Sequence, residues 1–214
     1  MKHLRFTFDV VSPYAYLAFE RLPQVLHGLN VEVSYQPVLL AGLLSHWGQK
    51  GPAEVPPKRD WTYRQVAWLA HRLQMPLQMP AQHPFNPLAL QRLALAAAPA
   101  GLTPSRWVCE QLLRHVWHGG ADAGDASRLQ ALSQRIAPRR DPADMEVKDE
   151  LRTATAAAAA RGVFGVPTIE VDGRLFWGLE GLELLEAYLR GDPWFDAPEW
   201  DAAARVPTSV QRKH

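Results

Sequence analysis

Apolar and polar positions alternate along Val31-Glu32-Val33-Ser34-Tyr35-Gln36, which is rich in β-branched residues and stops at Pro37. A period of two predicts a half-buried strand. Ahead of it, Leu4 to Phe8 reads as a short strand and Pro13 to His27 as a helix. The order β-α-β implies a crossover and a parallel strand pair. The period then changes: Arg59 to Leu73, Pro87 to Ala98, Pro104 to Trp117 and Ala126 to Ile136 carry apolar residues three and four apart, with no strand signal among them. That spacing predicts helices throughout. Thr103 is placed to cap one of them with Pro104 in its first turn, and Pro99 and Pro138 each follow a helical run.

Asp141-Pro142 restarts a helix by the same chemistry, and an alanine-rich run carries it through Ala160 to a stop at Gly162. Thr168-Ile169-Glu170-Val171, the pair Asp172-Gly173 and Arg174-Leu175-Phe176-Trp177 form the strongest hairpin signal, because Asp-Gly accepts the positive φ angles of a two-residue turn. A helix from Leu182 to Arg190 follows. These changes of period divide the chain into an α/β domain whose first part is 1–38 and second part 141–191, a helical insertion domain at 39–140, and an extended tail at 192–214 with Trp194 and Trp200 as its anchors.

Composition narrows the function. The 214 residues suffice for a core without metals or disulfides, and 23 basic against 22 acidic side chains give a net charge of +1. No run of like charge marks a nucleic-acid or anionic-membrane partner, and no apolar segment has the length of a signal peptide or a membrane span. A small-molecule ligand is expected. The only cysteine, Cys109, excludes an intramolecular dithiol and agrees with a reducing, cytoplasmic setting. Any thiol chemistry then needs a thiol from elsewhere, and glutathione is the obvious candidate.

Ser12 before Pro13 reads first as an ordinary helix N-cap, worth about 1 kcal/mol. The same geometry also aims a hydroxyl and the positive helix end at an anion. A thiolate suits it, since lowering a thiol pKa by two units takes about 2.7 kcal/mol, within reach of a charge-assisted hydrogen bond plus a helix end. Val166-Pro167 precedes the hairpin. A trans proline opening an edge strand is the commoner arrangement, whereas a cis bond would present the Val166 N–H and C=O to an extended peptide ligand. His115 and His118 lie three apart near Asp122 but lack a third ligand, so no metal is expected. Cys109 reads as an inert core thiol. Trp61, Trp68 and Trp177 could wall an aromatic pocket.

Phe8-Asp9-x-x-Ser12-Pro13-Tyr14-x-Tyr16-Leu17, Pro56-x-Lys58, Phe85-Asn86-Pro87-Leu88, Trp117-x-x-Gly120-x-Asp122, Val147-Lys148, Gly162-Val163-Phe164-Gly165-Val166-Pro167-Thr168 and Phe176-Trp177-Gly178 together are specific. Over nearly its whole length the chain resembles the 2-hydroxychromene-2-carboxylate isomerases and the related kappa-class glutathione transferases, within the DsbA-like thioredoxin group. The resemblance implies an α/β fold, a thioredoxin-like domain interrupted by an all-helical insertion, with Ser12 and Ala15 where redox members carry Cys-x-x-Cys. It implies bound glutathione, with Ser12 facing its sulfur, Val166 pairing with its backbone before a cis Pro167, and Trp177, Gly178, Leu179 and Glu180 holding its γ-glutamyl end. Lys58 would contact the glutathione carboxylate or the substrate, and Tyr14, Gln49 and Asn86 would face an aromatic substrate. Leu179-Glu180-Gly181 departs from the polar residue and Asp-Arg common in relatives, Gln65 to Ala70 departs from Asp-Leu-x-Arg-Trp-Ala, and Gln49 replaces an asparagine. The expected activity is a glutathione-dependent isomerase of aromatic compound degradation. A kappa-type transferase or a non-catalytic peptide-binding module are the alternatives, and a homodimer is the expected assembly, as in many relatives.

Overall fold

The computed structural model describes residues 1–207. Four strands form one mixed sheet in the order β2-β1-β3-β4. β1 (Lys2–Phe8) pairs in parallel with β2 (Val31–Pro37), joined by α1 (Pro13–Val25). β3 (Thr168–Val171) runs antiparallel to β1 and β4 (Arg174–Trp177) antiparallel to β3. The hairpin forms as expected: Asp172 and Gly173 both take positive φ, 51° and 74°, which the primed turn requires.

Between β2 and β3 come α2 (Leu40–His46), a 3-10 turn (Pro52–Glu54), α3 (Pro56–Arg72), α4 (Leu88–Ala96), α5 (Arg106–Trp117), α6 (Ala126–Ile136) and α7 (Met145–Ala160). After the hairpin, α8 (Gly181–Leu189) covers the sheet. Leu4, Phe6 and Phe8 project from β1 into the main core, which also takes in Tyr16 and Phe19 of α1, Val108 to Trp117 of α5, and Ile169 and Phe176 of the hairpin. Phe6, Phe19 and Tyr35 pack with ring centroids 5.5–6.1 Å apart. A second cluster of Val38, Leu43, Ala158, Ala159, Val163 and Val166 seats α2 and α7.

Several boundaries differ from the sequence expectation. The short helix α2 was not among the expected helices, although Leu40, Leu43 and Leu44 lie three and four apart, because its seven residues offer the pattern only once. α5 is capped by Ser105, whose hydroxyl accepts from Val108 N at 3.3 Å, and not by Thr103. α7 opens at Met145 rather than at Asp141, whose carboxylate closes a local turn onto Ala143 N at 2.8 Å. The tail is not extended throughout: a 3-10 turn (Pro193–Asp196) and α9 (Pro198–Ala203) dock on the body, and its remainder from residue 208 lies outside the described residues. Its buried anchor is Phe195, 4% exposed against Phe176, Tyr188 and Trp200, while Trp194 stays half exposed. No helix among the described residues is long and apolar enough to cross a membrane.

The helical segment grips one loop of the sheet. Phe8 C=O accepts from Gln91 Nε2 (3.1 Å), Val10 C=O from Trp117 Nε1 (3.0 Å) and Val11 C=O from His83 Nε2 (2.7 Å). Between them, the Asp9 carboxylate accepts from Val11 N at 3.1 Å and from Leu40 N at 2.8 Å. Every residue from 8 to 11 is thus held, and the next residue is Ser12.

Candidate active site

Ser12 is extended (φ −89°, ψ 116°) and caps α1, its hydroxyl oxygen accepting from Ala15 N at 3.3 Å. Its backbone N–H donates to Asp9 C=O at 3.0 Å, and Pro13 fills the first helical position. The hydroxyl hydrogen points across the site to Val166 C=O, 3.2 Å away. Ser12 is 5% exposed and lines a cavity of about 1240 Å³.

The Val166-Pro167 peptide is cis, as expected, and so is His83-Pro84, which was not anticipated. Val166 N–H donates no hydrogen bond among the described residues, whereas its C=O is taken by Ser12. The expectation that both groups are free therefore holds for the N–H alone. Pro167 is buried behind the wall, and its C=O accepts from Gly178 N at 2.9 Å. Gly178 sits at φ +85°, and a Cβ there would stand 2.8 Å from the Glu180 carboxyl carbon. Glycine therefore lets the Glu180 side chain fold back toward the cavity.

Of the residues expected in the site, Ser12, Tyr14, Gln49, Lys58, Val166, Trp177, Gly178, Leu179 and Glu180 all line this cavity. Tyr14 is half-buried and donates to Gln65 Oε1 at 2.7 Å; burial first, and then the nearby Glu180 carboxylate, push its phenol up. Glu180 and Lys58 have no ion-pair partner among the described residues. Asn86 is outside the wall: its carboxamide oxygen accepts from Leu88 N at 3.0 Å and organises the entry to α4. Trp61 and Trp177 line the cavity, but Trp68 stands on the outer face of α3 with Arg72 over its ring at 4.9 Å.

Three residues missed from sequence complete the setting. Asp9 is wholly buried with no cation beside it, and burial pushes its carboxyl up to about 7 against the opposing pull of the Leu40 and Val11 N–H groups. His83 donates from Nε2 to Val11 C=O and accepts at Nδ1 from Tyr63 OH at 2.7 Å. Burial lowers its pKa, so a neutral imidazole braces the loop. Phe164 tilts against Trp177 at 4.9 Å and extends the aromatic wall. Asp9 stood inside a quoted motif, and only its burial reveals its part; His83 and Tyr63 meet across a turn that no local pattern marks.

Elsewhere, His115 and His118 turn to different partners, Ala123 C=O at 3.0 Å and Tyr16 OH at 2.8 Å. No group of three or more His, Cys, Asp or Glu among the described residues is placed to hold a metal. Cys109 is fully buried in α5 and its thiol is pushed up by burial, which makes it a poor nucleophile.

The arrangement offers a hydroxyl at a helix start, a free backbone N–H, a carboxylate and an ammonium around one large cleft, with aromatic rings beside them. The chain is similar to known proteins in sequence and fold. The chain is 28% identical to glutathione S-transferase kappa 1 of Rattus norvegicus over 208 residues, 89% of this chain and 92% of the relative. It is 29% identical to 2-hydroxychromene-2-carboxylate isomerase of Sphingobium xenophagum over 198 residues, 88% and 98% of the two chains. A solved 2-hydroxychromene-2-carboxylate isomerase superposes with a TM-score of 0.77 at 21% identity, covering 95% of this chain and 100% of that one. The family model of the DSBA-like thioredoxin domain matches residues 3–190, and the chain belongs to that family.

Proposed function

We propose that the chain is a glutathione-dependent isomerase acting on 2-hydroxychromene-2-carboxylate or a related aromatic catabolite. The observation that carries this reading is the Ser12 hydroxyl at the start of α1, inside a cleft of about 1240 Å³, in a chain whose one thiol is buried elsewhere. When bound, glutathione supplies the sulfur nucleophile that the chain lacks. The residues present fit it. Glu180 meets an ammonium and Lys58 a carboxylate of glutathione or of the substrate, neither having an ion-pair partner among the described residues, and the Val166 N–H, which donates no hydrogen bond among them, pairs with an extended peptide backbone.

Ser12 does two things in turn. In the structure its hydrogen rests on Val166 C=O. Facing a thiolate it rotates toward the sulfur, and the α1 N-terminus adds its positive end, so the anion is favoured over the thiol. Val166 C=O is released for the ligand by the same rotation. Asp9, His83 and Trp117 hold the loop so that Ser12 does not follow the ligand. Tyr14, Gln49 and Lys58 line the substrate side, where the aromatic wall of Trp61 and Trp177 suits a planar ring. The same reading sets the protein in the glutathione-rich cytoplasm, in keeping with its single cysteine.

A kappa-type transferase is the second reading, favoured by the near-equal identity to the rat transferase and the bacterial isomerase. One experiment separates them. Incubate the protein with 2-hydroxychromene-2-carboxylate and substoichiometric glutathione. An isomerase converts the substrate and returns all the glutathione; a transferase consumes it as a thioether with an electrophile such as 1-chloro-2,4-dinitrobenzene. Absence of both turnover and glutathione binding would leave a peptide-binding module. Titrating the ultraviolet thiolate absorbance of the glutathione complex completes the test: a pKa that Ser12→Ala leaves unchanged would overturn the role of Ser12.

A further inference from the structure

α4 reads Leu88-Ala89-Leu90-Gln91-Arg92-Leu93-Ala94-Leu95-Ala96, and Arg92 is its one charge. Arg92 faces a second cavity of about 480 Å³ between α2, α4 and α7. Its Nε is shielded from solvent and has no hydrogen-bond partner among the described residues. Lys148 of α7 lines the same cavity, and neither cation lies within 4.0 Å of a carboxylate among the described residues. Arg152 and Asp149 also line it but satisfy each other at 3.1 Å. The remaining wall is largely apolar, with Leu39, Leu88 and Leu151 prominent.

Buried donors are rarely left without a partner, and a guanidinium fork matches a planar carboxylate. An apolar wall beside two free cations suits a compact hydrophobic body carrying one anionic end. We infer that this cavity is a second ligand site, specific for a small organic carboxylate. It is independent of the main cleft, from which α2 divides it: Leu40, Ala41 and Leu44 face the cleft, while Leu39 and Gly42 face this cavity.

Isothermal titration with benzoate tests the site. Benzoate also suits the main cleft, so the site is read as the part of the binding that Lys58→Gln, a change in the main cleft, leaves intact. Arg92→Gln should weaken binding ~10-fold, Lys148→Gln a few-fold, and Arg92→Lys should recover part of the loss. Inorganic phosphate should bind more weakly than benzoate, since it has no apolar body. The inference is overturned if Lys58→Gln abolishes binding, if Arg92→Gln and Lys148→Gln bind as tightly as wild type, or if benzoate does not bind at millimolar concentration. Phosphate binding as tightly as benzoate would overturn the specificity for an organic anion. Should Arg92→Gln fail to fold by circular dichroism, the surface-proximal Lys148→Gln decides alone.

Discussion

The two walls of the main cleft are built differently. On the sheet side, Ser12 and Val166 are nearly inaccessible, bonded to each other, and backed by a loop in which residues 8 to 11 are each held by the helical segment. On the helical side, Gln49, Lys58 and Trp61 are exposed, and Lys58 has no ion-pair partner among the described residues. The first wall is fixed by many mutual constraints, so a change there disturbs the fold as well as the ligand. The second is free to vary, and a change there should register only in binding. On the proposed function, the thiol-bearing ligand would meet the first wall and the aromatic substrate the second.

The seam between the walls is the place to break this contrast most severely. α2 has no side-chain cap of its own; Leu39 N donates to Thr155 Oγ1 at 3.0 Å and Leu40 N to the Asp9 carboxylate. Asp9→Leu strips the partners from the Leu40 and Val11 N–H groups and should destabilise by roughly 2–3 kcal/mol at pH 5. The pH dependence has a defined sign. The Asp9 carboxyl is raised from its ordinary value of 3.8 to about 7 on folding, so the folded state holds a proton the unfolded chain has released between those values. Stability contributed by Asp9 therefore falls as pH rises through that window. The buried His83, with its lowered pKa, works in the opposite direction at its upper end. The difference between wild type and Asp9→Leu isolates the Asp9 part: urea unfolding should show a smaller loss at pH 8 than at pH 5. A loss that grows with pH contradicts this account.

Gly165→Ala attacks the sheet-side wall from behind. The new Cβ would stand 2.8 Å from Trp177 Nε1, so the indole, which packs on Phe164, must shift. Because Trp177 is half exposed it can yield, and the cost should be about 1–2 kcal/mol, with glutathione affinity falling as the wall deforms. Unaltered tryptophan fluorescence and unaltered affinity would refute the contact. Ser12→Ala is milder for the fold, about 1 kcal/mol in thermal or urea unfolding for the lost cap. A loss well above that would mean that the bond to Val166 C=O also holds the two loops together.

The two walls also differ in how far the sequence discloses them. Period-two alternation, the Asp-Gly turn and the Ser-Pro helix start are local signals, and they located β2, the hairpin and Ser12. The helices α3 to α6 were legible from their periodicity as well, α6 at both its ends and α3, α4 and α5 with shifted ends. What escaped depends on contacts between distant segments. Asp9 reads as a polar loop residue until Leu40, 31 positions away, is seen to cap on it. Tyr63 and His83 meet over 20 positions, and His83 reaches Val11 over 72. Asn86 failed in the other direction: a motif residue whose side chain serves its own backbone two residues on. Trp68 shows why helical spacing alone misplaces a wall residue, because it sits seven positions after Trp61 yet stands outside the cavity that Trp61 lines.

The smallest effect on the fold, and the sharpest on the contrast, should come from Lys58→Gln. Lys58 lies in the first turn of α3, exposed and without an ion-pair partner among the described residues, where a cation opposes the helix dipole. Removing its charge should therefore leave stability within about 0.5 kcal/mol of wild type, with any change favouring the folded state. If Lys58 meets a ligand carboxylate across solvent, the contact is worth about 0.2–1 kcal/mol, so affinity for glutathione or for the aromatic acid should fall only ~1.4–5-fold. The loss should shrink as ionic strength rises, since an exposed pair is screened by salt. Titrating both ligands against wild type and Lys58→Gln at low and high salt assigns the contact: a deficit for glutathione alone ties Lys58 to the thiol-bearing ligand, and a deficit for the aromatic acid alone ties it to the substrate. A deficit that persists undiminished at high salt would place Lys58 in a desolvated pair, and the helical wall would then be as rigidly built as the sheet side.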